Sequence, residues 1–262
     1  MTDICELPRR VAVLGAAGTI GKAACAGCLE RGHSVRGIDI VDRPPPGLDD
    51  FHVIDVCDAI ALKNVLEGIE VVIHLTWGSL EGDPRDILHG PTFLGVWNVC
   101  NASAECGAAR LILTSTGQVV GNTEAQDQIV RADAPYTPES VYGVSKIFLE
   151  CLGHLYAETH DLSILILRPG WMPDSPDTMQ SIGKSLRTRN MYLSFNDAAR
   201  FFACAVETDR LPSPGVEVVY VQSRGEKLDG GFDREPARRL LGYEGRDEWP
   251  EGCPDIAIDE DS

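Results

Sequence analysis

Tyr142 and Lys146 stand four residues apart in the run Tyr142-Gly-Val-Ser-Lys146. At that spacing two side chains share one face of a helix. A free tyrosine ionises near pH ~10, too high for a base at neutral pH. An ammonium one turn away is expected to stabilise the phenolate and lower that value. The pair therefore suits general acid–base work on an alcohol or a carbonyl, and Lys146 is also placed to hydrogen-bond a cofactor's ribose. A Tyr and a Lys on an exposed helix would show the same spacing, so the pair gains meaning from what lies upstream.

Upstream lies Gly15-Ala-Ala-Gly18-Thr19-Ile20-Gly21. Gly15 permits a tight turn, Gly18 lets backbone approach a pyrophosphate, and Gly21 lets helix and strand pack closely. Asp39 follows at the end of the next apolar run, where a carboxylate accepts from ribose hydroxyls and repels a 2′-phosphate. These residues predict a dinucleotide site and favour NAD over NADP. Arg36 and Arg43 are read as solvated. Asp55-Val56 is placed to contact the adenine edge, although Asp55 could equally cap the following helix. In His74-Leu75-Thr76, Leu75 and Thr76 are expected to pass beneath the cofactor. His74 has no partner at metal spacing, and no metal site is expected.

The elements that must hold these residues alternate. Arg10 to Gly15, Ser34 to Asp39, a run ending near Asp55, Glu70 to Leu75, Arg110 to Ser115 and Ser163 to Arg168 read as strands. Helices are expected over 18–31, 59–66, 84–106 and 140–159, with Gly90-Pro91 breaking or kinking the third. Such alternation predicts an α/β fold, a doubly wound, mostly parallel sheet of Rossmann type. Beyond Gly170 the alternation weakens: Met172 to Pro176 reads as a loop, Ser194 to Thr208 as a helix, Val216 to Gln222 as a strand and Glu235 to Leu241 as a helix. The division is thus residues 1–170 for dinucleotide and catalytic helix, and 171–262 for a small C-terminal substrate-binding lobe interleaved with the sheet. That lobe is expected over the carboxyl ends of the strands, with an acidic tail from about 255.

Composition narrows the class. Hydrophobic residues make up 44% of 262, enough for a core without disulfides or metals and too many for disorder. Acidic residues outnumber basic ones 40 to 23, and a net charge of −17 argues against nucleic acid and against anionic membranes as partners. This acidity fits either a high-salt cytoplasm or an ordinary acidic protein; the nine cysteines favour the latter. The first ten residues contain no apolar run and no stretch approaches a membrane span, so a reduced cytoplasm is expected. Cys25 and Cys28 are read as core packing rather than a redox or zinc pair.

At the glycine and Tyr-Lys motifs the chain resembles the extended short-chain dehydrogenase/reductase superfamily. The resemblance implies a catalytic hydroxyl after the fifth strand. Thr116 in Thr114-Ser115-Thr116-Gly117-Gln118 matches it, with Ser115 as the alternative. Asn98 matches the family's helix asparagine, and Thr92 stands near an earlier one. Val141 to Lys146, Tyr192-Leu-Ser-Phe-Asn-Asp197, Val218-Val-Tyr220 and Leu240-Leu-Gly-Tyr243 also look like the uronate dehydrogenase group. That likeness covers almost the whole chain and implies that Arg187 holds a sugar carboxylate, the natural partner for a guanidinium. Ser79, Thr116, Gly117 and Gln118 would then contact substrate. Gly117 and Gln118 replace the group's Asn-His, so the identity of the uronate stays open.

The implied function is NAD-dependent oxidation of a small sugar acid, a uronate giving an aldarolactone, in a homo-oligomer paired through the helices at 84–106 and 140–159. Two alternatives use the same motifs. A nucleotide-sugar epimerase or dehydratase would want a larger C-terminal lobe and an acid at position 117. A non-catalytic NAD sensor would commonly have lost the Tyr or the Lys.

Overall fold

In a computed structural model, residues 8–78, 88–121, 129–225 and 231–252 are described. The strands are β1 (Arg10–Leu14), β2 (Ser34–Asp39), β3 (Asp50–Val53), β4 (Val71–His74), β5 (Arg110–Thr114), β7 (Ser163–Pro169) and β8 (Gly215–Val221). They form one parallel sheet in the order β3-β2-β1-β4-β5-β7-β8. The chain starts at β1, runs outward to β3, then returns to β4 and continues the other way. The switch between β1 and β4 opens a crevice at the carboxyl ends of these strands, where ligands bind in such sheets.

Residues of the central strands β1, β4, β5 and β7 are buried because helices cover both faces of the sheet, to which successive side chains point alternately. Val11, Val13, Val71, Ile73, Ile112, Leu165 and Leu167 face the layer of α1 (Thr19–Glu30) and α7 (Phe195–Glu207). Ala12, Leu14, Val72, Leu111, Leu113, Ile164 and Ile166 face α2 (Ala59–Val65), α3 (Val96–Glu105) and α4 (Val141–Thr159). Thus β8 and α7 belong to the sheet and its covering layer, although both lie beyond Gly170. Beyond β7 the chain also forms two short helices, α5 (Pro176–Gly183) and α6 (Leu186–Asn190). Neither was expected, because both are short and depend on Ser175 and Ser185 as N-caps rather than on an apolar stripe. A two-strand parallel ladder, β6 (Ile129–Val130) with β9 (Gly231–Phe232), was also unforeseen, and α8 (Glu235–Leu241) follows it.

Local chemistry sets the helix ends. Ser140 Oγ accepts from Gly143 N at 3.0 Å and starts α4. Asp58, not Asp55, caps α2, accepting from the N–H groups of Ile60 and Ala61; Asp55 instead accepts from Cys57 N at 2.9 Å in a tight turn. Gly90 leaves helical geometry (ψ −117°) ahead of Pro91, producing the expected kink, while residues 84–87 lie outside the described residues. Arg36 is not solvated: its Nε donates to Asp50 at 2.9 Å and Nη1 to Val65 O at 2.8 Å, clamping the sheet edge. Cys25 and Cys28 are buried, and burial pushes the Cys25 thiol up to about 12.

Helix α1 meets α7 at Gly27, where an added Cβ would lie 2.0 Å from Ala199 O. Gly27→Ala should therefore push two helices apart and cost about 3 kcal/mol, read as a fall in the urea midpoint at unchanged m-value. An unchanged midpoint would show that this contact yields freely.

Candidate active site

The first turn after β1 is built around missing side chains. Gly15 has φ +85°, a left-handed conformation that favours glycine, and its N–H bonds Ile38 O at 2.8 Å. A Cβ on Gly21 would lie 2.0 Å from Gly15 O, so helix and turn can close only around glycine. Gly18 is the N-cap of α1 and contributes no side-chain cap, while a Cβ there would meet only Gly15 O at 3.4 Å. The helix thus presents bare N–H groups to an open cradle. Asp39 Oδ2 accepts from Ala17 N at 2.9 Å and Oδ1 from Val41 N at 3.2 Å, so the carboxylate lies against the glycine turn. Val56 is buried, and Asn98 Nδ2 donates to the carbonyls of Val56 and Cys57 at 3.0 and 3.1 Å, holding that loop.

Gly15, Gly18, Thr19, Ile20, Gly21 and Leu75 line one side of a cleft of about 590 Å³. Thr116, Gly117, Gln118 and Tyr142 line the other, and Pro169, Gly170, Trp171, Met172, Asp174 and Met191 complete it. Thr76 lies beside the turn, its N 3.1 Å from the position of a Gly15 Cβ. Thr116 and Tyr142 line the same cleft, and the nearby Thr116 hydroxyl pulls the phenol's pKa down against the upward push of burial. Ser115 is turned away and buried, its Oγ donating to Glu150 at 2.5 Å, which removes it as the alternative hydroxyl. Gln118 Oε1 accepts from Ser140 Oγ at 3.2 Å. At Gly117 an added Cβ would lie 2.8 Å from the Phe232 ring, so the space vacated by the missing side chain is filled from β9.

Lys146 is anchored on β5. Its Nζ is buried and donates to Thr114 O at 2.9 Å, 5.7 Å from the centre of the Tyr142 ring. Burial lowers its pKa to about 8. The Tyr142 phenol is raised by burial and lowered by the nearby Thr116 hydroxyl. The Lys146 amine donates to a strand carbonyl. His74 is buried and pushed down to about 3 by burial and by the Lys146 charge, so it is neutral, with Nδ1 3.1 Å from Thr76 Oγ1.

Arg187 lies on α6, exposed, one turn before the cleft-lining Met191 and itself outside the lining. Ser79 lies outside the described residues. The sequence reading missed Trp77, whose ring meets Tyr142 edge-on at 4.7 Å, together with Trp171, Met172, Asp174 and Met191. Only the stop at Pro169-Gly170, which ends β7 beside the cleft, marked this region in the sequence.

A model of the NAD dependent epimerase/dehydratase family matches residues 11–172. The chain belongs to that family. As a member it is an NAD-dependent enzyme of the extended short-chain dehydrogenase type. Its similarities extend over the whole fold. An L-arabinose 1-dehydrogenase (NAD(P)(+)) of Haloferax volcanii is 31% identical, covering 91% of this chain and 96% of that one. A uronate dehydrogenase of Pseudomonas syringae pv. tomato is 29% identical, covering 80% of this chain and 73% of its own length. The crystal structure of a glucuronic acid dehydrogenase from Chromohalobacter salexigens superposes with a TM-score of 0.77 at 27% identity, covering 92% of this chain and 86% of that one.

The turn fits the family's cofactor on its own geometry. The uncapped N-terminus of α1, the open cradle at Gly18 and the carboxylate of Asp39 suit a pyrophosphate and an unphosphorylated ribose respectively.

Proposed function

We propose that this protein is an NAD-dependent sugar dehydrogenase that oxidises a hydroxyl of a small sugar acid. The observation that carries the reading is that Thr116 and Tyr142 line the same cleft as the glycine turn. Gly15, Gly18, Thr19, Ile20, Gly21, Asp39, Asp55, Val56, Leu75 and Thr76 would hold the dinucleotide, with Tyr142 and Lys146 at its nicotinamide end. When bound, NAD⁺ would supply the hydride acceptor. Thr116 holds the sugar oxygen, and ionised Tyr142 removes its proton as the C–H bond breaks. Lys146, anchored on Thr114 O, holds the N-terminal part of α4 against β5. Arg187, at the rim one turn from Met191, would reach the sugar carboxylate.

A second reading is a neutral sugar. It is favoured by Asp174, a carboxylate in the lining that repels another carboxylate, and by the similarity to an L-arabinose dehydrogenase. NADH formation with D-galacturonate, D-glucuronate and L-arabinose decides between them. On the acid reading Arg187→Ala raises the KM for uronates about 30-fold and leaves arabinose untouched. Turnover of arabinose without uronates would replace the acid by the neutral sugar.

Exposed Trp97 on α3 and Val144 and Leu155 on α4 support pairing of two copies through these helices.

A further inference from the structure

Glu150 and Arg168 form an ion pair sealed from solvent, at 0% and 1% exposure. Arg168 Nε and Nη2 donate to the two carboxylate oxygens at 2.9 and 2.8 Å. Ser115 Oγ and Tyr136 Oη donate to the same oxygens at 2.5 and 2.8 Å. Arg168 Nη1 donates to Tyr220 Oη at 2.9 Å and to Ala132 O at 3.2 Å. Well-packed apolar residues often stabilise a core as well as a buried pair does, so stability alone is a weak reason for this cluster.

Its position supplies a stronger one. Thr116 lies between two residues that the cluster holds. On one side Ser115 is tied to Glu150 by its side chain and to Leu167 O by its N–H at 2.8 Å. On the other, Gly117 rests on Phe232, whose ring stacks on Tyr220 at 4.3 Å, and the Tyr220 hydroxyl is held by Arg168. Glu150 itself sits on α4, one turn beyond Lys146 and two beyond Tyr142. One ion pair therefore joins the strand end carrying Thr116 to the helix carrying Tyr142.

We propose that Glu150 and Arg168 are positioning residues that hold Thr116 at its place beside Tyr142 in the cleft, Ser115 and Phe232 transmitting the constraint. The proposal rests on the roles given above to Thr116 and Tyr142. It is tested without substrate by ultraviolet difference titration of tyrosinate, each protein measured against its Tyr142→Phe partner. Ser115→Ala removes one bond and leaves the ion pair whole, so the fold should survive; Tyr220→Phe serves as an independent second variant. Loosening Thr116 should raise the Tyr142 midpoint by about 0.5 to 1 pH unit, and the same change should add nothing when Thr116→Ala is already present. With L-arabinose or D-galacturonate as the probe sugar, Ser115→Ala should lower kcat about tenfold at nearly constant KM, again only in the presence of Thr116. A midpoint that stays put in both variants, or shifts equally in the Thr116→Ala background, overturns the proposal. Failure of both sugars bears on the proposed function alone and leaves the titration decisive.

Discussion

Replacing Tyr142 with phenylalanine should lower kcat about 10³-fold while leaving NAD affinity within about threefold. The ring keeps its edge-on contact with Trp77 and its place in the first turn of α4, so the fold and the cofactor side of the cleft are retained. What is lost is the phenol that lines the cleft with Thr116. Stopped-flow or steady-state NADH formation, set beside NAD binding by tryptophan quenching, separates chemistry from binding. Loss of binding equal to the loss of rate would move Tyr142 from the chemistry to the cofactor cradle.

The pH dependence carries the same signature. Burial raises the phenol above its ordinary 10, so sugar oxidation in the unaltered protein should climb with pH well into the alkaline range, and the residual rate of Tyr142→Phe should be flat. Lys146 adds an effect on stability. Its pKa falls from 10.5 in the open to about 8 in the fold. Between those values the unfolded chain holds the proton that the native chain has released, so stability contributed by this residue rises with pH across that window. Below pH 8 the full cost of burying the ammonium remains. Lys146→Met should abolish that rise, seen as urea midpoints that no longer climb between neutral pH and pH 9.5.

The second large effect is expected at the glycine turn, and two substitutions there should part company. In Gly21→Val the first added carbon already lies 2.0 Å from Gly15 O and 2.8 Å from Ala16 Cα. Turn and helix must separate, so both stability, by about 3 kcal/mol, and NAD affinity, by 100-fold or more, should fall. In Gly18→Ala the added carbon meets only Gly15 O at 3.4 Å, an ordinary contact. Stability should hold, whereas NAD affinity should drop about tenfold because the methyl occupies the approach to the pyrophosphate. Calorimetric titration with NAD and urea unfolding on the same samples give both quantities. Undiminished affinity in Gly18→Ala would remove the pyrophosphate from that cradle.

Much of this was legible in the residues themselves. Strand runs such as Val11 to Leu14 and Leu111 to Leu113 are apolar throughout because both faces are covered, and the punctuating Gly15, Gly32 and Pro169 mark where they and their helices stop. The spacing of Gly15, Gly18 and Gly21 and of Tyr142 and Lys146 reflects backbone conformation within a few turns, so it can be read along the chain. The position of Asp39 at the end of β2 follows from the same local pattern.

Other features were decided only by contacts between distant segments. Whether Asp55 or Asp58 caps α2 depends on which carboxylate the final turn aims at the free N–H groups. The amine of Lys146 turns to Thr114 because β5 passes beneath it, a neighbour 32 residues away in sequence. Gly117 reads as a vacancy until β9 brings Phe232 into the gap, and Ser115 reads as a spare hydroxyl until α4 brings Glu150 to consume it. Residue types and short spacings determine what each segment can do. Which partner a buried side chain spends its hydrogen bonds on is set by the segments the sheet places beside it, because a buried polar group must be satisfied by whatever arrives there.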